Sequence, residues 1–259
     1  MPDIAMFTPF AQSLADVSRA IVLDCLASAG SFETKDDLSP VTIVDKKVEQ
    51  ALRERITQQY PDHGILGEEY DSQNLDAEYV WVIDPIDGTK AFITGMPIYG
   101  TLISLTRDGF PILGIIEHPV TEERWAGMEG SVSTYNGHEI RTRGCGRLED
   151  AIVSIGNPES LSLGEDLAFK ELRRRTKWGI YGGNCYVYGR LAMGRVDISV
   201  DGGLDPFDFC ALDAVVRGAG GMMSDWEGKR LSIRSGHRVV AVGDAALHPN
   251  VVEVLRDAG

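Results

Sequence analysis

The sequence predicts a mixed α and β protein, α+β over residues 1–145 and α/β over residues 146–259. Three observations predict it. Two stretches near the N-terminus repeat apolar residues at helical spacing. Strand-like runs joined by hairpin signals come next. Beyond residue 145, short apolar runs alternate with helical ones. A chain of 259 residues makes one large domain or two small ones, and a hydrophobic content of 43% is enough for a core without staples.

Taken in order, Phe10, Leu14, Val17 and Ile21 follow Pro9 and predict a first helix up to about Ala29. Lys35 to Ser39 reads as a polar loop. Val44, Val48, Leu52 and Ile56 mark a second helix ending before Tyr60-Pro61, and Ile65-Leu66 is a short apolar segment leading into Gly67-Glu68-Glu69. Tyr79 to Ile83 reads as a buried strand that Pro85 stops, with a helix starting at Gly88-Thr89. Strands follow over 100–106, 112–117 and 124–128, with Asp108-Gly109 and Asn136-Gly137 as turns. The texture changes near Arg143-Gly144-Cys145-Gly146. Strands are then expected at 151–155, 197–200 and 239–242. Helices are expected at 165–176, 186–193, 209–217 and 251–256, the third closed by the glycines of 218–221.

The net charge of −14 disfavours a nucleic-acid or anionic-membrane partner. Arg173-Arg174-Arg175 reads as a solvated helix face. Cys25, Cys145, Cys185 and Cys210 are scattered, without zinc or disulfide spacing, and read as reduced, mostly buried thiols. No signal peptide or membrane-spanning run is evident, so a cytoplasmic location is expected.

The chemistry concentrates in four acidic positions, each at the end of an apolar segment and beside glycine or proline. They are Glu68, Asp84, Asp87 and Asp208. No histidine or cysteine accompanies them, and an oxygen-only donor set favours Mg2+, with Mn2+ as a substitute. Taken singly, an Asp-Pro or Gly-Glu is ordinarily a turn or a helix cap. Asp84 and Asp87 stand out because Gly88-Thr89 follows them and offers backbone N–H groups to an anion.

Other chemistries fit less well. Aspartyl-phosphate phosphatases of the haloacid-dehalogenase type place their two acids two apart, whereas Asp84 and Asp87 are three apart with Pro85 between them. The chain has no Gly-x-Ser-x-Gly elbow and no P-loop, and its glycine cluster closes a helix instead of opening one. The five histidines, at 63, 118, 138, 237 and 248, read as structural or surface residues in turns and loops.

As an ordered set, Ser39-Pro40-Val41-Thr42 with Asp45, Gly67-Glu68-Glu69, Trp81 through Thr89, and Asp205-Pro206-Phe207-Asp208 with Ala211 and Ala219-Gly220-Gly221 resemble the inositol monophosphatase family. The resemblance implies a layered α-β-α-β-α sandwich of the inositol monophosphatase and fructose-1,6-bisphosphatase type, commonly a homodimer. It implies a lithium-sensitive, Mg2+-dependent phosphatase for a small phosphorylated metabolite. Glu68, Asp84, the Ile86 carbonyl, Asp87 and Asp208 would hold two or three ions. Asp45 and Thr89, with Glu68, would serve catalysis, Gly88 and Thr89 would receive phosphate, and Glu69 would support them from behind.

Within the family, residues 35–42, 91–103 and 208–228 resemble histidinol-phosphate phosphatases, which implies L-histidinol phosphate as substrate and a place in histidine biosynthesis. Lys35, Asn184 and Asp201 would then read the substrate. Asp201 could pair with an amine or be a turn acid before Gly202-Gly203, and Asn184 stands where that branch is expected to carry an Asp. Inositol monophosphate, fructose 1,6-bisphosphate and adenosine 3′,5′-bisphosphate are the alternative substrates. A partner-binding protein with a relic metal site is the non-enzymatic alternative.

Overall fold

A computed structural model describes residues 4–26, 32–34 and 40–258. Helices α1 (Thr8–Cys25) and α2 (Ile43–Gln59) flank a two-stranded hairpin, β1 (Phe32–Thr34) and β2 (Pro40–Thr42). Strands β3 (Gly64–Gly67) and β4 (Tyr79–Asp87) precede the short helix α3 (Thr89–Thr94). Strands β5 (Gly100–Arg107), β6 (Phe110–His118), β7 (Glu123–Met128), β8 (Thr134–Tyr135) and β9 (His138–Glu139) then complete a seven-stranded sheet in sequence order. Within it only β3 and β4 are parallel.

The rest of the chain alternates strand and helix. It runs through β10 (Ile152–Ile155), α4 (Leu163–Arg175), β11 (Trp178–Tyr181), α5 (Asn184–Ala192), β12 (Ile198–Asp201), α6 (Pro206–Gly218), β13 (Met222–Asp225), β14 (Val239–Val242) and α7 (His248–Ala258). These strands form a mixed sheet of order β11-β10-β12-β14-β13.

The period-2 alternation of side chains sorts the layers. From β4, Tyr79, Trp81 and Ile83 join Leu14 of α1 and Leu52 of α2 in one core cluster, while Val80 and Val82 face Leu191 of α5 and Phe209 of α6. Val239 and Ala241 of β14 close that middle cluster from the second sheet. Val240 and Val242 turn the other way, onto Phe169 of α4 and Val251 of α7. The stack is therefore α1/α2, seven-stranded sheet, α5/α6, five-stranded sheet, α4/α7, the expected α-β-α-β-α sandwich. Helix α6 seats directly on the larger sheet because β6 offers Gly114, where a Cβ would lie 2.3 Å from the Ala211 carbonyl.

Several local expectations change. Short β11 and β13 carry no strong alternation and pass unseen in the sequence. Helix α6 begins three residues before the expected Phe209, because Pro206 suits a helix's first turn and the Asp208 carboxylate accepts from the Asp205 N–H at 2.6 Å. Three histidines are not in loops, and one of them, His138, opens the two-residue strand β9. His118 is buried in β6, its pKa pushed down to about 4 by burial, and His248 opens α7. The Asp108-Gly109 and Asn136-Gly137 turns sit where expected, with positive φ at all four residues. Arg174 and Arg175 pair with Glu171 on an exposed face, and all four cysteines are buried, none of them in a disulfide. Ala29 lies outside the described residues.

Candidate active site

The site is built where β4 ends against the N-termini of α5 and α6. Strand β4 pairs with β5 as far as Asp84 opposite Leu102, and pairing resumes with Asp87 opposite Gly100. Three residue steps on one strand therefore face two on the other, which is a bulge with one extra residue. The expectation that Pro85 stops the strand is corrected here. Lacking an N–H, Pro85 suits the unpaired position of a bulge, and the strand continues to Asp87. Gly88 then turns the chain into α3 at φ 86°, and a Cβ there would lie 2.4 Å from Asn184 Nδ2, so only glycine fits.

Asp84, Asp87 and Asp208 each offer a carboxylate oxygen to one cluster, all within 4.8 Å of one another. Asp84 is buried, and its Oδ1 has no hydrogen-bond partner among the described residues. Burial first, then the nearby Glu68, Asp87 and Asp208 carboxylates, pushes the Asp84 carboxyl well above its ordinary range. Burial and then Asp87 do the same to Asp208. Burial raises Asp87 too, opposed by hydrogen bonds from Cys185, whose backbone N–H donates at 2.6 Å. Three crowded acids with an unsatisfied buried oxygen repel one another as ions, and a hard divalent cation between them removes the conflict. The donor set thus fits such a cation.

The parallel register sets Gly67 beside Ile83, which brings Glu68 to Asp84. Helix α2 fastens that loop. Buried Glu49 accepts from the Glu69 N–H at 2.7 Å and from Arg53 Nε at 2.7 Å, and Arg53 Nη2 donates to the Tyr70 carbonyl at 2.9 Å. Asp45 is buried one turn earlier on the same face. Sequence reasoning missed Glu49 and Arg53, although their Glu-to-Arg i,i+4 spacing was a readable signal.

A cavity of about 150 Å³ opens beside Asp87 and Asp208, lined in part by Asn157, Ser160, Asn184 and Asp201. Asp201 is not a turn acid. It ends β12, is buried, and accepts from the Gly156 N–H and the Tyr188 hydroxyl, each at 2.7 Å, with burial raising its pKa to about 6. Asn184 has φ 46° and reaches the Ile98 carbonyl at 3.5 Å. Thr89 donates its hydroxyl to the Ile86 carbonyl at 3.3 Å. Lys35 lies outside the described residues. Among the described residues no Lys or Arg lines this cavity, while Lys90 and Glu159 approach each other to 3.9 Å, both largely exposed.

Comparison with known proteins agrees with this picture. The model of the inositol monophosphatase family matches residues 3–259. The bifunctional phosphatase IMPL2, chloroplastic, of Arabidopsis thaliana is 41% identical over 98% of this chain and 76% of its own length. A histidinol-phosphatase of Chlorobaculum parvum is 32% identical over 94% of this chain and 93% of its own. The solved structure of an inositol monophosphatase from Zymomonas mobilis, 38% identical, superposes with a TM-score of 0.90 over 99% of this chain and 100% of that one.

Proposed function

The chain belongs to the inositol monophosphatase family and is a phosphoric monoester hydrolase; from that premise we propose that its substrate is L-histidinol phosphate and its metal Mg2+. The observation that carries the metal reading is the trio Asp84, Asp87 and Asp208 with the unsatisfied Asp84 Oδ1. Together with Glu68 and the Ile86 carbonyl they would hold the ions. Divalent cations there would supply the positive charge that neutralises a phosphate dianion and would lower the pKa of water, so that hydroxide is available to attack phosphorus. Asp45 with Thr89 orients that water and takes its proton, while the Gly88 and Thr89 N–H groups receive the phosphate oxygens. Glu69 steadies Glu68 from behind.

The substrate reading rests on the cavity and on the names of the relatives. A bisphosphate calls for a second cationic grip, and no Lys or Arg among the described residues lines the cavity. Asp201, a buried acid lining the cavity, favours a neutral or cationic alcohol over an anionic one, as in histidinol. Inositol 1-phosphate is the second reading. Neutral Asn157, Ser160 and Asn184 suit hydroxyl groups, and Asn184 carries no charge for an ammonium. Leu163 and Leu167 of α4, with Trp178 and Tyr181 of edge strand β11, expose apolar surface that supports a homodimer. Phosphate release from histidinol phosphate, inositol 1-phosphate and fructose 1,6-bisphosphate at matched concentration tests the assignment. Histidinol phosphate should dominate, and EDTA and lithium should inhibit. Dominance of inositol 1-phosphate would refute the first reading, and full turnover in excess EDTA would refute the metal.

A further inference from the structure

The bulge that aims Asp84 and Asp87 creates a structural debt at Pro85. Its carbonyl lies within a buried strand, yet the bulge takes it out of the regular ladder. Buried carbonyls need a donor. The Thr101 hydroxyl provides one, donating to the Pro85 carbonyl at 2.8 Å from the facing strand β5. Thr101 has a single hydroxyl proton, so its contact with Ser18 Oγ must run the other way, with Ser18 donating to Thr101 Oγ1. Both side chains are buried, and Ser18 lies on α1, in the outer helical layer.

We propose that Thr101 is a positioning residue for the metal centre, holding the Asp84–Asp87 bulge through the Pro85 carbonyl with Ser18 of α1 fixing its hydroxyl. The inference rests on the metal reading above and extends it to two residues that touch neither cation nor substrate. A bulge without this donor has no fixed reason to present the Ile86 carbonyl and Asp87 together. The remaining ladder still holds β4, so the fold survives while the donor geometry loosens.

The molecule contains its own control. Thr106, also buried in β5, donates to the Val80 carbonyl at 3.1 Å in the same pair of strands, but at the far end from the acids. The test is calorimetric titration of the full-length protein with MgCl2, beside thermal melting of the same samples in EDTA. Thr101→Val, which keeps the side-chain shape, should weaken Mg2+ binding by about tenfold or more. Thr101→Ser should bind within about twofold of wild type, and Ser18→Ala should fall between the two. Thr106→Val should melt earlier in EDTA, as Thr101→Val does, yet bind Mg2+ as wild type. Wild-type affinity in Thr101→Val, or equal weakening in Thr106→Val, would overturn the assignment. A wild-type protein that takes up no Mg2+ would overturn the metal reading itself, and this one with it.

Discussion

Asp87 has the most demands made on it of any residue in the site. It caps the bulge, faces Asp84 and Asp208, and accepts the Cys185 N–H at the start of α5. Asp87→Asn keeps size and an acceptor but removes the charge. Hydrolysis should fall by about a hundredfold or more, with a circular-dichroism spectrum unchanged from wild type. Asp201 should behave differently. Its two oxygens are committed to the Gly156 N–H and the Tyr188 hydroxyl. An amide in its place must turn an NH2 group toward one of those donors. Asp201→Asn should therefore lower unfolding free energy by about 1–3 kcal/mol in urea titration, whatever it does to turnover.

Helix α2 shows how an element can serve chemistry it does not touch directly. One face carries Asp45, Glu49 and Arg53 at successive i,i+4 positions, all buried. The pair Glu49–Arg53 ties the helix to the backbone at Glu69 and Tyr70, the two residues that directly follow Glu68. Glu49→Ala leaves a buried guanidinium uncompensated and should cost about 3–5 kcal/mol of stability by chemical denaturation. Replacing both partners with apolar residues, as in Glu49→Leu with Arg53→Met, should restore much of that loss. Helix α5 plays the corresponding part on the other flank, where its first residues bring Asn184 against Gly88 and the Cys185 N–H against Asp87.

Across the whole molecule, the crowded acids couple stability to protons and to metal. Their folded pKa values are raised, so each binds a proton more tightly folded than unfolded. That contribution is fully present below the unfolded carboxylate range and is lost as pH rises through the raised folded values. A divalent cation between these oxygens, Mg2+ in the reading proposed above, would take the place of those protons. Saturating Mg2+, at about a hundred times its Kd, should add about 2.7 kcal/mol at pH 7.5. In a chain of this length that raises Tm by about 5–10 °C. The Mg2+-induced shift should shrink as pH falls toward 5.5, because protons then compete for the same oxygens. Differential scanning fluorimetry at the two pH values measures it, and Asp87→Asn should lose most of the shift at both.

How much of this was legible in the chain differs from residue to residue. Periodicity placed α1, α2 and the β5–β6 hairpin, because each depends on its own apolar pattern and on turn residues such as Asp108-Gly109. The acids were legible for a similar reason: Asp84, Asp87 and Gly88-Thr89 are neighbours, so their spacing lies within one local conformation. What the sequence by itself determined was this set of local elements, the hard-oxygen donor chemistry and, through the ordered motifs, the family. Only the tertiary structure decided that Asp208 meets Asp84 across more than a hundred residues, and that Pro85 continues a strand. It alone showed that Asp201 is committed to the Gly156 N–H and Tyr188, that Glu49 braces the Glu68 loop, and that Thr101 reaches the bulge. The reason is physical. Backbone propensity and patterning act over a few residues, whereas each of these contacts exists because two layers of the sandwich close on a buried polar group that must find its partner.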